Sequence, residues 1–193
     1  RKRAEMLGFD DGRLKTASYD ASEGFGLRAV KGEVTGYAHS TEMTMAALER
    51  ASDTARLAVG NGGGRLADGP KAPAAALYSD RDPIGDAGFP VKVDTLREID
   101  AYARGLDKRV VQVSASIAAA LQEVAILRPD GQLLTDTRPM VRLNVAIIVE
   151  ENGRRETGSA GGGGRVALDG LLEPESWKAT ANEALRVALV NLQ

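Results

Sequence analysis

The residues with the most chemical potential are a run of glycines ending in a cation, Gly161-Gly162-Gly163-Gly164-Arg165. Glycine exposes backbone N–H groups that can cradle phosphate. A phosphate loop of the G-x-x-x-x-G-K-[ST] kind also needs a Lys to reach the phosphates and a hydroxyl to hold magnesium. Here Arg165 is followed by Val166, so the hydroxyl is missing. Two other readings stay open. The run can be a plain turn or linker. It can also let another backbone approach closely and bind an extended peptide through main-chain hydrogen bonds. The single histidine, His39, ends a strand-like run beside Ser40 and Thr41. Capping a helix or filling a half-buried gap is the ordinary role of such an imidazole, and contact with a substrate is the alternative. A Ser-His-Asp triad would have to use His39, but no G-x-S-x-G elbow accompanies it. Asp80-Arg81-Asp82-Pro83-Ile84-Gly85 begins like a calcium loop. Its third ligand position would be Ile84 and the bidentate Glu is absent, which leaves a loop.

Composition narrows the chemistry further. With 0 Cys and 1 His, a zinc site made only of His and Cys cannot be built within one copy of the chain. Cysteine-nucleophile catalysis and a disulfide framework are excluded on the same count, in weak agreement with a reducing compartment. The balance of 25 Lys+Arg against 27 Asp+Glu gives a net charge of -2, which argues against general affinity for nucleic acid or membrane. No stretch approaches 18 apolar residues, so nothing spans a bilayer as a helix. At 193 residues with 43% hydrophobic content, the chain fits one sizeable soluble domain with a real core. Arg1-Lys2-Arg3-Ala4-Glu5 is not a signal peptide, because no apolar segment follows it. The abrupt start without Met reads as a fragment of a longer protein.

The elements that would position these residues follow from periodicity. Asp10-Asp11-Gly12 marks a turn between strands Ala4–Phe9 and Arg13–Tyr19. Lys31-Gly32-Glu33 joins strands Phe25–Val30 and Val34–His39 in a second hairpin, with Tyr37 and His39 on one face. Ser40, Thr41 and Thr44 are N-cap candidates for a helix with Leu48, Ala51, Ala55, Ala58 and Val59 on one side, ended by Gly60. Gly60–Gly64 reads as a flexible loop and Ala72–Leu77 as a short apolar piece with strand character. A second helix is expected from about Val91 to Arg104, with Gly105 as its stop. Strands Val110–Ser116, Leu121–Leu127, Leu133–Thr137 and Val141–Glu150 follow. Val141, Leu143, Val145, Ile147 and Val149 alternate with Arg142, Asn144, Ala146 and Ile148. Asn152-Gly153 is the strongest hairpin signal, with Arg154–Thr157 returning and Arg154-Arg155 able to pair with Glu150-Glu151. Gly161–Gly164 would interrupt the sheet. Pro174 opens a last helix that buries Trp177, Ala181, Ala184, Leu185, Ala188 and Leu189. The sum is an α+β fold, a mostly antiparallel or mixed β-sheet packed with about three helices.

Several segments also carry a resemblance. Asp11–Asp20, Glu23–Val30 and Gly36–Thr41 are similar to the N-terminal region of TldD-type members of the TldD/PmbA family, historically also called modulators of DNA gyrase. Asp107–Val113, Arg138–Val145, Arg154–Glu156, Gly161–Arg165 and Ala188–Leu192 match in the expected order, so the likeness spans nearly the whole of residues 1–193. The family implies bacterial or archaeal cytoplasmic zinc metallopeptidases that hydrolyse unfolded or short peptides and pair with a PmbA-type (TldE-like) subunit or with a second copy. It also implies that the zinc motif, H-E-x-x-x-H with a Cys ligand, lies in a C-terminal domain absent from this sequence. No catalytic or metal residue is therefore carried over, and this chain alone is expected to be inactive and to bind no zinc. What the resemblance implies for the N-terminal region is a wall of the zinc chamber that contacts extended peptide. On this reading Gly161, Gly162, Gly163, Gly164, Arg165 and His39 are the substrate-binding candidates. The alternative is a non-catalytic module for subunit pairing. The gyrase label suggests nucleic acid, to which a charge of -2 and the lack of a basic stripe lend nothing.

Overall fold

The computed structural model describes residues 1–60 and 77–193. The expected strand Ala72–Leu77 and the loop 61–64 lie outside the described residues, apart from Leu77. Among the described residues, seven strands and four helices follow in the order β1 (Lys2–Asp10), β2 (Arg13–Ser22), β3 (Phe25–Lys31), β4 (Val34–Ser40), α1 (Met45–Val59), α2 (Phe89–Leu106), β5 (Val110–Leu127), β6 (Leu133–Glu151), β7 (Arg154–Gly164), α3 (Asp169–Leu172) and α4 (Pro174–Leu192). This is an α+β fold whose sheets are mostly antiparallel.

Contacts divide the chain into two compact units, one centred on residues 21–60 with the strand ends 124–136, the other on 3–20, 77–123 and 137–193. In the smaller unit β3 and β4 form an antiparallel hairpin, with Gly26 opposite His39 and Arg28 opposite Tyr37. Helix α1 packs on it through Ala47, Ala51 and Ala55. Of the three cap candidates, Thr44 does the work: its Oγ1 accepts from the N–H of Ala47 at 3.2 Å. Gly60 ends the helix at φ +71°.

The larger unit is a five-stranded sheet in the order β2-β1-β5-β6-β7. Positive φ at Asp11 and Gly12, and again at Asn152 and Gly153, closes two of its hairpins with turns whose twist suits the strands. The inward stripe of β6 (Val141, Leu143, Val145, Ile147 and Val149) is at most 1% exposed. It packs with Leu7, Phe9, Val113 and Ile117 from neighbouring strands against Leu96, Ile99 and Ala103 of α2 and Trp177, Ala181 and Ala184 of α4. All the helices of this unit contribute to that buried side, so the opposite, helix-free face of the sheet carries no helix of its own unit among the described residues.

Four expectations are corrected. Val110–Ser116 and Leu121–Leu127 are one strand of 18 residues, because Ala118, Ala119 and Ala120 between them keep the period-two alternation. Leu133–Thr137 and Val141–Glu150 likewise merge into β6, which carries Pro139 within it. Gly105 does not stop α2, which runs one residue further and is capped by Asp107. Gly161–Gly164 does not interrupt the sheet either. It is the end of β7, paired residue for residue with Val141–Asn144. Extended backbone is open to glycine, and the ladder with β6 pairs the polar groups on one side of it.

Candidate functional site

Strand β7 lies at the edge of the sheet, so only one side of its backbone is paired with β6. Its first half is tied down from the other direction. Asn191 of α4 donates to the Thr157 carbonyl at 2.9 Å, and Arg154 donates to the Asn191 carbonyl at 2.7 Å. At Gly158 a Cβ would lie 2.1 Å from the Ala188 nitrogen and 2.2 Å from the Ala184 carbonyl oxygen, so glycine is what lets α4 sit directly on the strand. Beyond Gly158 the restraints stop. Among the described residues, no backbone hydrogen bond from another element reaches Ser159–Gly164 on its unpaired side. An edge of this kind presents a row of N–H and C=O groups to any chain that can lie beside it.

The glycines also shape the two faces at this edge. Gly161 is paired with Asn144 and Gly163 with Arg142. The Oδ1 of Asn144 lies 2.4 Å from where a Gly161 Cβ would be, so the Asn144 amide rests over the bare backbone of β7. Arg142 Nε donates to that same oxygen at 2.8 Å. At Gly163 a Cβ would lie 2.1 Å from the Val141 carbonyl oxygen, and φ is +151°. Gly162 faces the helices, with Leu171 Cδ2 at 3.9 Å. Arg165, just past the strand, places its guanidinium over the Tyr78 ring at 4.9 Å. The glycine run and Arg165 are thus together on one edge.

His39 is elsewhere, in the smaller unit. It is exposed and stacks on Tyr37 at 5.9 Å with an interplanar angle of 27°. It caps no helix and fills no buried gap, because Thr44 holds the cap and its own strand face points away from α1. Tyr37 in turn covers Gly26, whose Cβ would meet the phenol oxygen. That unit also holds a groove of about 320 Å³ along α1, where Arg28 and Arg56 are the charged residues; Arg56 is already paired with Asp53.

The sheet's helix-free face carries an apolar groove of about 280 Å³ that crosses the strands from Asp20 on β2 to Arg142 on β6, floored by Ala118 and Ala120 and flanked by Met6 and Met140. Both methionines are exposed. On the same face Asp10 accepts from Ser114 at 2.6 Å and Gln112 at 2.9 Å. Those bonds, Ser114 first, hold its carboxyl below the usual range.

Other charged groups are structural. Asp107 accepts from the Arg109 side chain and backbone, which holds its pKa down to about 2 and fixes the turn from α2 into β5. Burial pushes Asp82 up, but the N–H groups of Ile84 and Gly85 and the Arg3 guanidinium outweigh it and leave it lowered. The loop read against calcium therefore spends its central carboxylate on Arg3 and its own backbone. Lys92, fully buried in α2, donates to Glu5 and to the Ile84 carbonyl. Its sequence neighbours gave no sign of burial beyond its helical spacing with Leu96 and Ile99.

Among the described residues no group of three or more His, Asp or Glu could hold a metal ion. The zinc implied by the family does not fit the side chains present, and no chemical step is assigned through it.

Comparison with known proteins gives these elements a context. Residues 82–192 match the description "PmbA/TldA metallopeptidase central domain", and residues 1–59 match "PmbA/TldA metallopeptidase domain 1". The chain belongs to the PmbA/TldD family. It is 38% identical to a "Metalloprotease TldD homolog" of Haemophilus influenzae over 95% of its own length and 39% of that protein's. A relative of the same name from Buchnera aphidicola subsp. Acyrthosiphon pisum is 31% identical over 93% of the chain and 38% of the relative. The chain thus spans about two fifths of the curated relatives it matches. In fold it is similar to a crystal structure described as a modulator of a DNA gyrase from Thermotoga maritima, with TM-score 0.67, 16% identity, 97% of this chain and 42% of that one covered. It is also similar to TldE from Thermococcus kodakarensis, with TM-score 0.61, 16% identity and coverage of 96% and 42%. Among the described residues no helix is long and apolar enough to cross a membrane.

Proposed function

We propose that this chain is the N-terminal part of a TldD-type zinc metallopeptidase of the cytoplasm, acting on unfolded or short peptides in partnership with a PmbA/TldE-like subunit or a second copy. Its own task is to wall the active chamber and to hold a peptide in extended form. The zinc and the hydrolytic groups belong to the part of the parent protein outside residues 1–193, and this chain alone cleaves nothing.

The observation that carries this reading is the free edge at Ser159–Gly164. Its backbone polar groups are unpaired on one side, and Gly161 and Gly163 place no side chain beside the approach on the helix-free face. Strand addition supplies main-chain hydrogen bonds regardless of side-chain identity, which suits a protein that must take many sequences. His39 is less suited to the task, since its ring is engaged with Tyr37.

A second reading, pure subunit pairing, is favoured by the groove between Met6 and Met140. Exposed methionines over an alanine floor form an apolar surface of the kind that partners cover. One experiment separates the two. A peptide carrying a photoreactive group is trapped in the assembled full-length protein, and the adducts are mapped by mass spectrometry. Labelling within Ser159–Gly164 supports peptide holding. Adducts confined to the remainder of the parent chain would leave this region as an interaction module.

A further inference from the structure

Most arginines here are matched with carboxylates: Arg109 with Asp107, Arg154 with Glu156, Arg155 with Glu150. Arg142 is different. It is exposed, and among the described residues its one partner is a neutral oxygen, Asn144 Oδ1. Its charge is therefore oriented but not neutralised. The orientation is informative. Asn144 lies over Gly161, so the bond from Arg142 Nε holds the guanidinium beside an amide that itself rests on β7. Gly163, opposite Arg142, has no side chain to obstruct it. With Nε used, the two terminal nitrogens keep their N–H donors for another acceptor. A strand laid against the free edge of β7 would be about 4.8 Å further on. Its side chains on the helix-free face would project beside this guanidinium.

We propose that Arg142, turned over the glycine strand by Asn144, reads a carboxylate on the peptide held at the edge of β7. This rests on the strand-addition reading above and adds a chemical preference to it. The ligand is an extended segment bearing one carboxylate, from an Asp or Glu side chain or from the peptide's own C-terminus. Arg142 is the anchor; Asn144 is a positioning residue, and Gly161 is the space that lets Asn144 lie flat. Arg142 also borders the apolar groove beside Met140, so an apolar side chain next to the carboxylate would be covered as well.

The test uses the full-length protein with its partner subunit and three dye-labelled ten-residue peptides of Ser, Ala and Val that carry a photoreactive group. One holds a central Glu with an amidated end, one a central Gln with an amidated end, and one a central Gln with a free C-terminus. Binding is read by fluorescence anisotropy and contact by mapping the photoadducts. The expected result is about three- to tenfold tighter binding of one carboxylate peptide over the neutral one, in line with charge-assisted bonds at a partly exposed site. Preference for the Glu peptide identifies a side-chain carboxylate, and preference for the free end a C-terminal one. Arg142→Gln should bind all three alike, Arg142→Lys should keep part of the preference, and Asn144→Ala should weaken it with thermal stability unchanged. Equal affinity of the unaltered protein for all three, with adducts on Ser159–Gly164, would overturn the carboxylate reading and leave strand addition standing. Adducts that avoid β7, or no binding of any peptide, would overturn both.

Discussion

Gly158 and Gly161 lie three residues apart on β7 and serve opposite sides of one sheet. At Gly158 the missing side chain is replaced by protein: the backbone of α4 occupies the space, and the strand cannot move without the helix. At Gly161 it is replaced by a polar side chain from β6, with solvent and a free edge beyond. The same residue type thus closes one half of the strand and opens the other. Composition cannot distinguish the two cases; the identity of the atoms near the absent Cβ does.

The sharpest way to break this contrast is Gly158→Val. Its Cβ has no room against the backbone of Ala184 and Ala188, so a loss of about 3 kcal/mol or more is expected, seen as a large drop in the urea midpoint or failure to fold. A near-neutral result would mean that α4 is not seated as described. Gly163→Ala comes next. A positive φ and the Val141 carbonyl both oppose the side chain, with an expected cost of about 1–3 kcal/mol. Because the strand end is free, the damage should be local. Hydrogen exchange should quicken at Val141–Leu143 and Gly162–Gly164, while the amides of α4 keep their protection.

A control at the other end of the β6–β7 ladder from the glycines is Asp107→Asn, expected to cost about 1 kcal/mol at neutral pH. Asp107 titrates at about 2 instead of the ordinary 3.8. Its carboxylate therefore adds stability that is complete above about pH 4 and is lost as the pH falls through 2. The difference between variant and parent should vanish over that interval in acid unfolding, and a constant difference would show that charge is not involved. The smallest effect belongs to Gly162→Ala. The nearest atom is 3.9 Å away and the backbone is unstrained, so the stability change should stay within about 0.5 kcal/mol by thermal unfolding.

Local signals in the chain placed much of this correctly. Asp10-Asp11-Gly12 and Asn152-Gly153 named their hairpins because only residues tolerant of positive φ fit such turns. The stripe Val141 to Val149 named the core side of β6, and Pro174 the start of α4. Two of the four errors share one cause. Glycine at 105 and at 161–164 is read as a breaker from intrinsic preference, yet α2 runs on to Leu106 and pairing with β6 keeps the later glycines in the sheet. The alternation of Arg142 and Asn144 with apolar neighbours gave them a face, without revealing that both lean over a glycine strand.

The sequence by itself determined the turns, the periodic faces, the class of fold and, through segments such as Asp107–Val113 and Arg138–Val145, the family. Those properties rest on φ preference and on spacing along one strand or helix, which are local. Only the tertiary structure decided that β7 is an edge, that α4 rests on Gly158, that Lys92 is buried against Glu5, and that Arg142 stands without a carboxylate. Each of these depends on which distant residue arrives beside another. That is set by the closing of the whole core, and a one-dimensional pattern does not contain it.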